Sequence, residues 1–249
     1  MREVNKELSL EEKAAAQTFF DRIGEVDTWN LRSLIGVVDA HADEYFGSEE
    51  PDQSHNYFAH GEAFFAVYGI GGNVTKKGER PDVDILVVTN MRYSEGFLEG
   101  YDDRMDDPHE TGIEPLWIRM NQVLRAEMEV KKEGDLPCNY NLSRTKGKCL
   151  IRLTPNQGGR RMDVVYAKSM ADHGESGDLP RPGETWEPID YSTTHFDSEA
   201  DFVAKDVSAE GKPLPKVLLY RASTKDIQVP EMFGLGVHVL RRAEPAEDI

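Results

Sequence analysis

The chain has 249 residues, with 46 Asp and Glu against 29 Lys and Arg and a formal charge of −17; so acidic a surface repels polyanions and restricts any nucleic-acid contact to a local basic patch. Hydrophobic residues make up 39% of the chain, enough to bury a sizeable core, and acidity of this size also occurs as an adaptation to high salt. The N-terminus "MREVNKELSLEEKAAAQ" is charged from its second residue and lacks an apolar signal region. The longest apolar run, Ala63 to Ile70, is far too short to span a bilayer, so a soluble, cytoplasmic protein with no membrane partner is expected.

Ser9 and Glu12 stand in capping-box spacing before strong helix formers, which predicts a helix over about 10–23. In "TWNLRSLIGVVDAHADEYFG", Leu31, Leu34, Ile35, Val38, Ala42 and Tyr45 recur at helical spacing, with Gly47 as the stop. The polar "GSEEPDQSHN" reads as a loop. From residue 62 the period changes: "EAFFAVYGI" and "VDILVVT" are short β-branched and aromatic runs bounded by turn residues, as in the middle of a sheet. Residues 91–111 form an acidic run that lacks the Asp-x-Asp-x-Asp-Gly order of a calcium loop and reads as a solvated segment.

"IEPLWIRMNQVLRAEMEVKKEG" predicts a third helix with Leu116, Met120, Val123, Leu124 and Met128 as its apolar stripe. "KGKCLIRLTP" and "RRMDVVYAK" then read as two strands joined by the hairpin signal "NQGG". Residues 170–190 read as a long surface loop. The tail offers a helix near "SEADFVAKDV" and strand-like "KVLLYRAS" and "FGLGVHVLRR". The expected organisation is N-terminal helices (1–60) on a core (61–169), with 170–249 either within the same domain or apart from it.

Asp82 and Asp84 interrupt a run that otherwise wants burial, and on a strand they share one face while Val83 and Ile85 share the other. Two carboxylates so close repel unless cations lie between them, and hard oxygen donors of this kind suit Mg²⁺ or Mn²⁺. Asp163, between Met162 and Val164, repeats the oddity and is the candidate third ligand from a neighbouring strand. Just ahead of the first pair, Gly71 and Gly72, with Asn73, form a turn whose backbone can approach a triphosphate because no Cβ intervenes. Lys76, Lys77 and Arg80 add cations beside that turn. Arg144, Lys146 and Lys148 form a second basic patch near the Asp163 hairpin.

Taken in order, "IGG", nine residues, "DVDI", and later "MDV" resemble the polymerase-β-like nucleotidyltransferase superfamily over residues 62–168. The resemblance implies an α+β fold, a nucleotidyltransferase-like mixed β-sheet with flanking helices. It implies that Gly71 and Gly72 grip the β and γ phosphates of a nucleoside triphosphate, that Asp82 and Asp84 ligate two Mg²⁺, and that Asp163 binds the ion activating an acceptor hydroxyl and takes its proton, with pyrophosphate leaving. RNA ends, small molecules and proteins are all acceptors used by relatives of that superfamily. The connector "NVTKKGERP" leaves little room for the helix that follows the glycine turn in such proteins, a departure for which Lys76, Lys77 and Arg80 would compensate. A non-catalytic nucleotide-binding or scaffold protein with the same fold is the rival; loss of an acid would favour it, and all three acids are present.

The seven histidines show no zinc or catalytic spacing, no serine sits in a nucleophile elbow, and Trp29, Trp117 and Trp186 read as packing residues. Cys138 and Cys149 have neither CxxC nor Cys/His spacing, so neither a disulfide framework nor a zinc site is expected.

Overall fold

A computed structural model describes residues 4–47, 57–58, 63–75, 80–90, 92–93, 113–133, 150–168, 196, 198–208 and 210–224. It is an α+β arrangement in which helices flank a mixed six-stranded sheet.

Helix α1 (Leu10–Ile23) begins at the expected capping box: the Ser9 backbone N–H donates to Glu12 Oε2 at 2.7 Å, and the Glu12 N–H donates to Ser9 Oγ at 3.2 Å. Gly24 ends it, and α2 (Glu25–Gly47) starts at the next residue, three positions before the expected Thr28. Leu31, Leu34, Val38, Ala42 and Phe46 bury one stripe of α2.

The main sheet contains β2 (Ala63–Ile70), β3 (Asp82–Thr89), β5 (Met128–Glu133), β6 (Leu150–Pro155), β7 (Arg161–Lys168) and β8 (Lys216–Thr224), in the order β5-β6-β7-β3-β2-β8. A two-stranded ribbon of β1 (Tyr57–Phe58) and β4 (Arg92–Tyr93) lies outside it. Every neighbouring pair of the main sheet is antiparallel except β3 and β7, which run parallel. The "NQGG" hairpin joins β6 to β7 as expected, and the tail's "KVLLYRAS" is β8, an edge strand beside β2. The predicted strand "FGLGVHVLRR", the two cysteines and the 170–190 loop lie outside the described residues.

The third helix, α4 (Ile113–Leu124), stops well short of Met128, and the chain turns into edge strand β5. Met128 is buried, Glu129 exposed, Val130 half-buried and Lys131 exposed, a period-2 alternation that fits a strand. Backbone pairing from Met128–Pro155 to Glu133–Leu150 outweighs the helical preference of "RAEMEVKKE", and the charges on this edge discourage further strand addition. Val123, assigned above to the apolar stripe, is exposed, whereas Met120 and Leu124 are buried.

The sheet has two different faces. One is covered by α1, α2 and α4, where Phe65, Val67, Val83, Ile85, Met162, Val164 and Tyr166 join the helical side chains in the principal core. On the other, Phe64, Ala66, Tyr68, Leu86, Val88 and Ala167 pack with Phe196 and with Phe202 of the short helix α5 (Glu199–Lys205). That second cluster covers β3 only from Leu86 onward, and the first turns of β3 and β7 on this face carry the acids. No helix among the described residues is long and apolar enough to cross a membrane.

Candidate metal and phosphate site

The parallel pairing of β3 and β7 decides the geometry. Its register places Asp84 directly opposite Asp163 and Asp82 opposite Arg161. Because alternate residues share a face, all four side chains project from the side away from the three large helices. Asp82, Asp84 and Asp163 each offer a carboxylate oxygen, and these lie within 4.8 Å of one another. The antiparallel neighbour β6 adds Arg152, opposite Asp163 in its own register. The expected convergence of three acids from two strands is therefore present.

The glycine turn abuts them. Gly71 has φ 70°, a left-handed backbone that glycine adopts without steric cost, and a Cβ there would collide with Oδ2 of Asp84. A Cβ on Gly72 would collide with the Arg80 guanidinium. The two glycines thus let backbone, carboxylate and guanidinium occupy one small volume.

A single helical turn, α3 (Gly72–Thr75), follows, in keeping with the little room that the connector leaves for a helix. Four residues suffice because Arg22 of α1 receives the far end: its Nη1 donates to the carbonyls of Asn73 (3.3 Å) and Val74 (2.8 Å). The buried Asn73 side chain faces inward, its Nδ2 donating to the Asp82 carbonyl at 3.1 Å and its Oδ1 accepting from Arg160 Nη1 at 3.2 Å. That side chain braces the turn rather than presenting itself to a ligand. Lys76, Lys77, Arg144, Lys146 and Lys148 lie outside the described residues.

Three arginines were not singled out by sequence reasoning. Arg160 donates from its backbone N–H and Nε to Asp27 (2.7 and 2.6 Å), from Nη2 to the Ile23 carbonyl (2.9 Å), and from Nη1 to Asn73 and to the Arg80 carbonyl (3.3 Å). It ties the α1–α2 junction to the glycine turn and to the start of β3. Arg161 Nη2 donates to Asp82 Oδ2 (2.8 Å) and Asp163 Oδ2 (3.1 Å), and Arg152 Nε donates to Asp163 Oδ1 (3.2 Å). Arg161 was legible in principle, since it stands two residues before Asp163 and so on the same strand face. Arg152 needed the hairpin register as well.

Burial raises the Asp84 carboxyl above the ordinary carboxylate range, and the negative charges of Asp82 and Asp163 push it further; Arg80 and Arg161 oppose the shift. A carboxyl in that condition favours a cation beside it. The donor set fits Mg²⁺ or Mn²⁺: three hard oxygen donors within reach of one ion or an ion pair. It also fits an adjoining anion, because Arg80 Nε is buried without a hydrogen-bond partner next to the Cβ-less Gly72.

In comparison with known proteins, no family model, no curated protein and no solved structure matches the chain.

Proposed function

We propose that the protein is a divalent-metal-dependent nucleotidyltransferase, moving a nucleoside monophosphate from a nucleoside triphosphate to an acceptor hydroxyl. The observation that carries this reading is the juxtaposition of Asp82, Asp84 and Asp163, their oxygens within 4.8 Å of one another, with the Gly71–Gly72 turn packed against Asp84. Asp82, Asp84 and Asp163 would hold Mg²⁺ or Mn²⁺, which when bound would neutralise phosphate charge and polarise the acceptor hydroxyl. The close backbone approach at Gly71 and Gly72, with Arg80 beside them, would seat the β and γ phosphates. The acceptor oxygen forms a bond to the α-phosphorus, the α–β bridging bond breaks, pyrophosphate departs, and Asp163 takes the hydroxyl proton.

The test is incubation with each labelled nucleoside triphosphate, Mg²⁺ or Mn²⁺, and a pool of RNA, protein and small-molecule acceptors. Pyrophosphate release with label on one acceptor class is expected. Asp84→Ala should lower that release by at least about a hundredfold, as for the loss of a group that contacts the reacting centre, while leaving the circular dichroism spectrum unchanged. Turnover in that variant equal to the wild type would remove the assignment.

A further inference from the structure

The three acids are already neutralised by the chain itself. Asp82, Asp84 and Asp163 face Arg80, Arg152 and Arg161, so the cluster carries no formal net charge before any ligand arrives. A bare triad would draw a divalent ion strongly, whereas a balanced one draws it far less. Arg161 occupies the critical place: it bridges Asp82, two residues before Asp84 on β3, and Asp163, opposite Asp84 on β7.

Its neighbour provides an internal contrast. Arg160 is fastened to backbone carbonyls on α1 and before β3, and to the almost fully buried Asp27. The hydrogen bonds of Arg161 go to Asp82 and Asp163 instead, and its side chain is 38% exposed. Its Nε lies 2.9 Å from Asp163 Oδ1 without hydrogen-bond alignment, leaving that buried donor unsatisfied. One guanidinium is fastened to backbone and a buried carboxylate; the other is held by the acids of the site itself.

We infer that Arg161 is a displaceable internal counter-ion, which holds Asp82 and Asp163 in the free protein and passes to the phosphates when nucleotide and divalent ion bind. The inference rests on the nucleotidyltransferase reading and deepens it. A divalent ion alone must evict a guanidinium that then has no partner, and a triphosphate alone draws Arg161 away and leaves Asp82 and Asp163 short of a counter-charge. Together each removes the obstacle to the other. Metal and nucleotide therefore bind as a coupled pair, and by linkage each raises the affinity for the other by the same factor.

The experiment uses the full chain, Mn²⁺ as the metal, and water-proton relaxation to detect ion bound to protein, with and without the α,β-methylene analogues of the four ribonucleoside triphosphates tested singly. In the wild type the favoured analogue should raise Mn²⁺ affinity by about tenfold or more. Arg161→Gln should raise the nucleotide-free Mn²⁺ affinity by about tenfold and weaken the analogue, so that the coupling ratio falls toward one. Arg161→Lys, which keeps a charge but loses the bidentate fork, should lie between. Thermal melts identify any variant that has lost its fold, and the lysine variant then carries the comparison. An unchanged ratio in both variants, with Mn²⁺ binding still abolished by Asp84→Asn, overturns the role of Arg161 and leaves the site standing. Failure of the wild type to bind Mn²⁺ with or without any analogue overturns the site reading and the role of Arg161 together.

Discussion

Asp84 binds its proton more tightly in the folded protein than in the unfolded chain, because burial and two neighbouring carboxylates disfavour its charge. The sign of the linkage follows. Below the ordinary carboxylate range the folded and unfolded states are both protonated there; as pH rises from that range through the raised folded value, the folded state retains the extra proton and loses stability relative to the unfolded chain. Asp84→Asn is neutral at every pH and escapes this cost. At neutral pH and without metal the variant should be more stable than the wild type, and the gap should close as pH falls through the ordinary carboxylate range. Urea denaturation midpoints measured across pH check this; a gap that does not change with pH would mean that Arg80 and Arg161 already offset the burial. A residue that weakens the fold in order to hold charge is the usual mark of a functional position.

At the scale of elements, much of the fold was legible because it follows from local pattern: the Ser9–Glu12 box sets the start of α1, and the alternation of Met162, Val164 and Tyr166 with Arg161, Asp163 and Val165 sets both faces of β7. Strand β5 was misread because "RAEMEVKKE" is built from helix formers and only its pairing with β6 decides the matter. The triad was legible because acids inside apolar runs are conspicuous. Of the arginines that balance it, Arg80 stood out beside the glycine turn and Arg161 could be placed on the face of Asp163, but which cation meets which acid depends on registers between strands remote in sequence, as for Asp82 and Arg161, 79 residues apart. Gly69 gives a second case of tertiary meaning hidden in a strand: a Cβ there would run into the Phe19 ring of α1. Gly69→Ala should therefore destabilise the protein by about 1–3 kcal/mol through overpacking, and adding Phe19→Leu should recover part of the loss. Additive losses in the double variant, measured by chemical denaturation, would show that the ring does not set the spacing of α1 over β2.

Over the whole molecule the charge of −17 works against compactness, yet Arg22, Arg80, Arg152, Arg160 and Arg161 gather around the acids and the glycine turn. Here cationic side chains are matched against the acids, whereas over the chain 46 acids face 29 Lys and Arg. Self-repulsion of the remainder predicts that the melting temperature rises as NaCl is increased from about 0.01 M to about 1 M, where the screening length shrinks from ~30 Å to ~3 Å. A melting temperature that falls with salt would mean that the ion pairs described above outweigh the net repulsion. The short turn at Asn156–Gly159, between β6 and β7, acts as a phase setting for everything on this face. Slide β7 past β3 by a single residue and Met162 and Val164 would look outward while Arg161 and Asp163 would be driven under the helices. Lengthening or shortening that loop by one would trade the polar groups for grease along the whole strand, so its length belongs to the chemistry as much as any side chain does.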